Sequence, residues 1–253
     1  MIMKIGIVGY GQVGQAVARL YFETDTSESW FDFDKILIYD PDQGKMDDIS
    51  NVDILNVCIP YGEDFVSVVK DLPTPNWYTV IHSTVPVGTT EKFGHKFLHS
   101  PVRGVHPNLY EGLKTFVKFI GGNEQLAEAY SGHLKTLGIE THICKDAKTT
   151  ELSKLADTTY YGLCIAFTSD MKKLCDEHNL DFMEVMTKYN NTYNEGYTKL
   201  GKLNVVRPVL YPTDKIGGHC VIPNAKLLPR TKLIDGLLAV SYTHLTLPTK
   251  RIV

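Results

Sequence analysis

Lys4-Ile-Gly-Ile-Val-Gly9-Tyr-Gly11-Gln12-Val13-Gly14 decides the fold. An apolar, β-rich run feeds into G-x-G-x-x-G, and an amphipathic helical pattern, Gln12–Phe22, follows at once. The glycine pattern alone is weak, but between a strand and a helix it marks a Rossmann-type dinucleotide site. Gly9 makes the tight turn, Gly11 lets a pyrophosphate approach the backbone, and Gly14 lets helix and strand pack closely. The helix N-terminus offers free N–H groups and a positive dipole end to the phosphates. Gln12 and Val13 lie in the same turn and count with the glycines as cofactor contacts.

Outward from this turn, short β-rich runs alternate with helical ones, the signature of βαβ units and a parallel sheet. Strands are expected at Lys4–Val8, Lys35–Tyr39, Asp53–Ile59, Thr79–His82, Phe97–Ser100, Lys118–Gly121 and Glu140–Cys144, with a helix at Gln125–Leu137. Asp40 ends the second strand, where an acidic residue accepts ribose hydroxyls and repels a 2′-phosphate, so NAD is expected rather than NADP. The polar stretch Glu23–Asp34 reads as an inserted loop that lengthens the gap between Gly14 and Asp40.

The chain has 253 residues, 43% hydrophobic and 22% charged, with a net charge of −3. These values fit a globular α/β protein and give no electrostatic reason to expect nucleic acid or a membrane as partner. No apolar run approaches the ~20 residues that span a bilayer. No signal peptide precedes the first strand, and the five cysteines are odd in number with no C-x-x-C pair, so a cytoplasmic setting without disulfides or zinc is expected.

The character changes near Asp146. One long helical pattern runs from Thr150 to about His178, with Leu152, Leu155, Leu163, Phe167, Met171 and Leu174 as an apolar stripe. A second helix is expected at Asp181–Tyr189, and the Gly/Asn/Pro/Tyr-rich stretch Asn190–Pro212 reads as loop leading to Gly217-Gly-His-Cys220. The fold expected is a doubly wound Rossmann-type domain over residues 1–146, then a smaller, mainly helical domain over 147–239. Residues 240–253 have neither helical nor strand logic. They resemble one reading frame of a sequencing-adapter oligonucleotide and are set aside as a non-native tail.

Three further segments carry chemistry: Ser83-Thr-Val-Pro-Val-Gly-Thr-Thr90, Glu151-Leu-Ser-Lys154 at the start of the long helix, and Gly217-Gly-His-Cys220. With the glycine turn, they make residues 3 to about 228 resemble the UDP-glucose/GDP-mannose dehydrogenase family. That family oxidises a nucleotide-sugar C6 alcohol to a carboxylate in two NAD-dependent steps. The resemblance implies Cys220 as thiol nucleophile and Lys154 as the cation that stabilises the substrate's oxygen. It also implies Thr84 as the holder of the hydrolytic water beside the cofactor, and a homodimer built on the long helix. A thiol suits the chemistry, because the acid level requires a covalent adduct that can be oxidised a second time.

The sequence departs from the family at three polar positions. Ser100-Pro-Val102 stands for Ser-Pro-Glu, Thr158 for the asparagine four residues after the lysine, and Asn224 for the aspartate four residues after the cysteine. His106 is a replacement base to consider for the lost carboxylates, and His219 a neighbour able to lower the thiol's pKa. Two alternatives stay open: a two-electron β-hydroxyacid-type dehydrogenase that uses Lys154 alone, and a non-catalytic NAD-binding fragment.

Overall fold

The computed structural model describes residues 3–23, 36–213 and 220–246, the last six as backbone only. The inserted stretch 24–35 lies outside them, as do residues 214–219 and 247–253. Two compact units are present, Met1–Lys154 and Leu155–Val253. The division falls inside the long helix, so the first unit includes that helix's opening turns.

In the first unit, β1 (Ile5–Val8) leads through α1 (Gln12–Glu23) to β2 (Ile36–Asp40) and a short edge strand β3 (Lys45–Met46). Then follow β4 (Ile54–Val57), α2 (Phe65–Asp71), β5 (Tyr78–Ile81) and β6 (Phe97–His99). The sheet order is β3-β2-β1-β4-β5-β6, parallel except for β3. The order reverses between β1 and β4, which places the binding crevice of an open α/β sheet at their carboxyl ends. Next come α3 (Leu109–Thr115), β7 (Lys118–Ile120), α4 (Glu124–Thr136) and β8 (Thr141–Ile143). β7 and β8 pair with each other, and a single bridge between His99 and Gly121 ties them to the main sheet.

Alternation along the strands builds the two faces. Ile5, Ile7, Ile54, Val80 and Leu98 pack with residues of α1, α3 and α4, including Val17, Leu113 and Leu134. Val57 and Ile81 meet Phe65 and Val69 of α2 on the other face. The sheet is therefore doubly wound, as the sequence predicts.

α5 (Ala147–Glu177) runs 31 residues. The single apolar stripe expected along it is divided: Leu155 is buried, whereas Leu152, Phe167 and Leu174 are exposed. In the second unit α5 packs on α7 (Val221–Lys226) and α8 (Lys232–Thr246) through Ile165, Ala166, Val221, Ala225 and Leu237. Gly162 sits at the closest approach, where a Cβ would lie 2.3 Å from Val221.

The structure departs from the sequence pattern at two places. The first half of Asn190–Pro212 is not loop: wider π-type turns at Met183–Lys188 continue into α6 (Tyr189–Lys199). Tyr189, Tyr193 and Tyr197 recur every fourth residue and stack along one side, with centroids 6.1 and 5.2 Å apart. The Arg207 guanidinium lies 3.8 Å from the Tyr193 ring centroid, and Asn194 pairs with both backbone groups of Arg207. These contacts override the weak helix propensities of Asn and Gly. Second, the helical lead-in does not stop at Val240, because α8 continues through Thr246.

Candidate functional site

The glycine turn is built by close approach. Gly9 has φ +85°, and a Cβ there would lie 2.8 Å from Ile59. A Cβ on Gly14 would lie 1.9 Å from the Gly9 carbonyl oxygen. Gly11 is different: a Cβ there meets nothing within 4 Å. The fold itself does not demand glycine at that position, and the open space suits a pyrophosphate lying on the turn. Val13 is half-buried against the core, while Gln12 is exposed at the start of α1.

Asp40, at the end of β2, has a structural use that the sequence did not reveal. Its Oδ2 accepts the Tyr10 backbone N–H at 2.6 Å and the Gln43 side-chain amide at 3.1 Å, and Oδ1 accepts the Gln43 backbone N–H at 3.3 Å. The carboxylate thereby fixes the glycine turn. His106 is placed at this turn as well, where its Nδ1 meets the Gln12 side-chain oxygen.

Thr84 is half-buried in the loop after β5. That loop is held at one end by the Ser83 hydroxyl, which donates to the Ile59 carbonyl at 2.5 Å. At the other end Glu151 of α5, fully buried, accepts three hydrogen bonds. They come from the Gly88 N–H at 2.5 Å, the Thr90 N–H at 2.8 Å and the Thr90 hydroxyl at 2.7 Å. Thr150 beside it meets His99 Nδ1 at 2.7 Å, and His99 Nε2 donates to the Ser83 carbonyl at 3.1 Å. Burial pushes the His99 pKa down to about 3, so the ring is neutral. Lys154, half-buried, stands one turn beyond these anchors. Val102, where the resemblance expects a carboxylate, is part of the apolar core.

In the second unit Cys220 is half-buried immediately before α7. Its carbonyl accepts the Asn224 N–H at 3.1 Å. The Asn224 side-chain amide donates to the Thr158 hydroxyl at 3.1 Å, and that hydroxyl donates to the Leu155 carbonyl at 3.2 Å. Two of the three departures from the family pattern thus bond to each other. Gly217, Gly218 and His219 lie outside the described residues. Among the described residues no group of three or more His, Cys, Asp and Glu could hold a metal ion. No helix among them is long and apolar enough to cross a membrane.

Strand order and glycine turn define a Rossmann-type dinucleotide-binding fold. Residues 148–232 match the model of the UDP-glucose/GDP-mannose dehydrogenase family, central domain. UDP-N-acetyl-D-mannosamine dehydrogenase of Campylobacter jejuni is 26% identical over 164 residues, covering 56% of this chain and 37% of the relative. The chain therefore spans little more than a third of that curated relative's length. Among solved structures, the UDP-D-ManNAc dehydrogenase of Pyrococcus horikoshii superposes with a TM-score of 0.74 at 18% identity, covering 96% of this chain and 69% of that one. The 3-hydroxyisobutyrate dehydrogenase of Mycobacterium tuberculosis superposes with a TM-score of 0.67 at 13% identity, covering 96% and 94%. At these identities the structural likenesses establish the fold.

Proposed function

We propose that the chain is an NAD-dependent oxidoreductase that takes the C6 alcohol of a UDP-linked N-acetylhexosamine to the carboxylate. The observation that carries this reading is Cys220, half-buried at the start of α7 inside the segment that matches the family's central domain. The names of the curated relatives supply the sugar class. Gly9, Gly11, Gln12, Val13 and Gly14 would hold the pyrophosphate and Asp40 the ribose side, and Thr84, beside the cofactor, would help hold the hydrolytic water. NAD bound there would supply the hydride acceptor, a fresh molecule for each of the two oxidations.

Lys154 stabilises the oxygen of the alcohol as it becomes a carbonyl. The Cys220 thiolate then adds to the aldehyde carbon and forms a thiohemiacetal. After the second oxidation the acyl group sits on sulfur, and water releases the acid and the thiol. Exposed Tyr160, Phe167 and Leu174 on α5 support a homodimer through that helix. Five free cysteines suit a reducing, cytoplasmic setting. A two-electron reading that uses Lys154 alone is favoured by one observation, the burial of Val102 in the core where a carboxylate base is expected.

Fluorescence titration tests the cofactor assignment. NADH should bind at least about tenfold tighter than NADPH, because a phosphate beside the Asp40 carboxylate costs on the order of 1 kcal/mol or more. Gly11→Val should lose that binding with an unchanged melting temperature, since its side chain enters empty space. Equal affinity for the two dinucleotides would remove Asp40 from the site.

A further inference from the structure

Several strands bring polar side chains to one buried line on the α1 face of the sheet. Lys118 of β7 is 3% exposed. Its Nζ donates to the Ser100 carbonyl at 2.5 Å and the Pro101 carbonyl at 3.0 Å, and lies 3.2 Å from His82 Nδ1. His82 Nε2 lies 2.9 Å from Asn56 Oδ1, and the Asn56 amide donates to the Gly6 carbonyl of β1 at 3.3 Å. Asn56 also hydrogen-bonds the Tyr21 hydroxyl of α1.

The ends of this chain fix its direction. The Gly6 carbonyl can only accept, so the Asn56 NH2 faces it and Oδ1 faces His82. His82 Nε2 must then carry the proton, which leaves Nδ1 as an acceptor. The Ser100 and Pro101 carbonyls also only accept. Lys118 therefore faces three acceptors. An ammonium satisfies all three, whereas a neutral amine with two N–H groups leaves one buried acceptor orphaned.

We infer that Lys118 is a positioning residue, whose ammonium locks the Ser100–Val102 turn to the strand and helix that carry the glycine turn. Ser100–Val102 follows β6 at the carboxyl edge of the sheet, where open α/β sheets bind their ligands. The role for this turn rests on the oxidoreductase reading above; the lock itself does not. Four groups from the surrounding elements bear on the ammonium. They are His82 after β5, held neutral by burial; His99 of β6, also neutral; the Cys58 thiol after β4, pushed up to about 12; and the charge of Lys154 on α5. Burial, reinforced by the Lys154 charge, pushes the Lys118 pKa down to about 7. The lock is complete below that pH and one bond short above it.

Global stability moves the other way. The folded pKa lies below the ordinary lysine value of about 10.4. Between about 7 and 10.4 the unfolded chain therefore binds more protons, and global stability rises with pH. A local loss of protection over that range is thus not general softening.

Amide hydrogen exchange across residues 98–105, corrected for intrinsic pH dependence, reads the lock from pH 6 to 9 without substrate or turnover. Protection in the parent chain should fall about tenfold as pH rises past about 7, the worth of one hydrogen bond. Lys118→Met should be weakly protected at every pH. Lys118→Arg, whose cation does not titrate, should stay protected throughout. If the Met variant does not fold, the parent and Arg profiles decide. A flat parent profile, or the same fall in the Arg variant, would overturn the inference, whether or not the chain oxidises a sugar.

Discussion

Glu151→Ala is expected to destabilise the first unit by about 3 kcal/mol, because it orphans three donors that now point at one buried carboxylate. For a chain of this size that is a fall in melting temperature on the order of 10 °C. The loss should centre on the Gly88–Thr90 turn and so loosen the loop that carries Thr84. Glu151→Gln separates charge from volume. Its oxygen can still accept from Thr90, but its NH2 would face the Gly88 N–H, donor against donor, so a smaller loss is expected. Thermal unfolding of the three proteins checks this. A Glu151→Ala midpoint within 2 °C of the parent would mean that these hydrogen bonds are not what holds the loop.

Cys220→Ser is expected to lower acid formation on the order of 10³-fold or more while sparing the reversible alcohol–aldehyde step, because a serine hydroxyl is a far weaker nucleophile at neutral pH. In the parent chain the acyl group should leave sulfur slowly. Val102 is apolar and buried, and Thr158 and Asn224 are engaged with each other, so these three positions offer no carboxylate to activate water. Mass spectrometry of protein incubated with NAD and a UDP-N-acetylhexosamine should then show an adduct on Cys220. Full dehydrogenase activity in Cys220→Ala would instead assign the chemistry to Lys154 and a two-electron oxidation.

The parts of the fold legible in the sequence are those that a local pattern dictates. Gly9, by its positive φ, and Gly14, whose Cβ would meet the Gly9 carbonyl, answer to geometry within a single turn, and the apolar runs Ile5–Val8 and Ile54–Val57 mark strands that the sheet buries. α6 is masked because Asn190, Asn191, Asn194 and Gly196 mimic loop composition and Arg207 acts from beyond the helix, although Tyr189, Tyr193 and Tyr197, four residues apart, carry a helical signal. The polar line was hidden for another reason: Asn56, His82 and Lys118 meet only after the strands pair. A signal was present, since Asn56 and Lys118 each interrupt an apolar strand, and a buried polar group needs a partner. Glu151 gave a fainter one, an acid one turn before the lysine on a face that the helix buries.

The most direct test of the account is the number of NADH formed per sugar consumed, measured with the full chain, excess NAD and a limiting UDP-N-acetylhexosamine. Two are expected, and two even in a single turnover that stalls on Cys220, because the thioester already lies at the acid oxidation level. One NADH per sugar, with the aldehyde or ketone as product, would contradict the four-electron reading, and NAD binding without any turnover of the sugar would contradict the enzyme assignment itself.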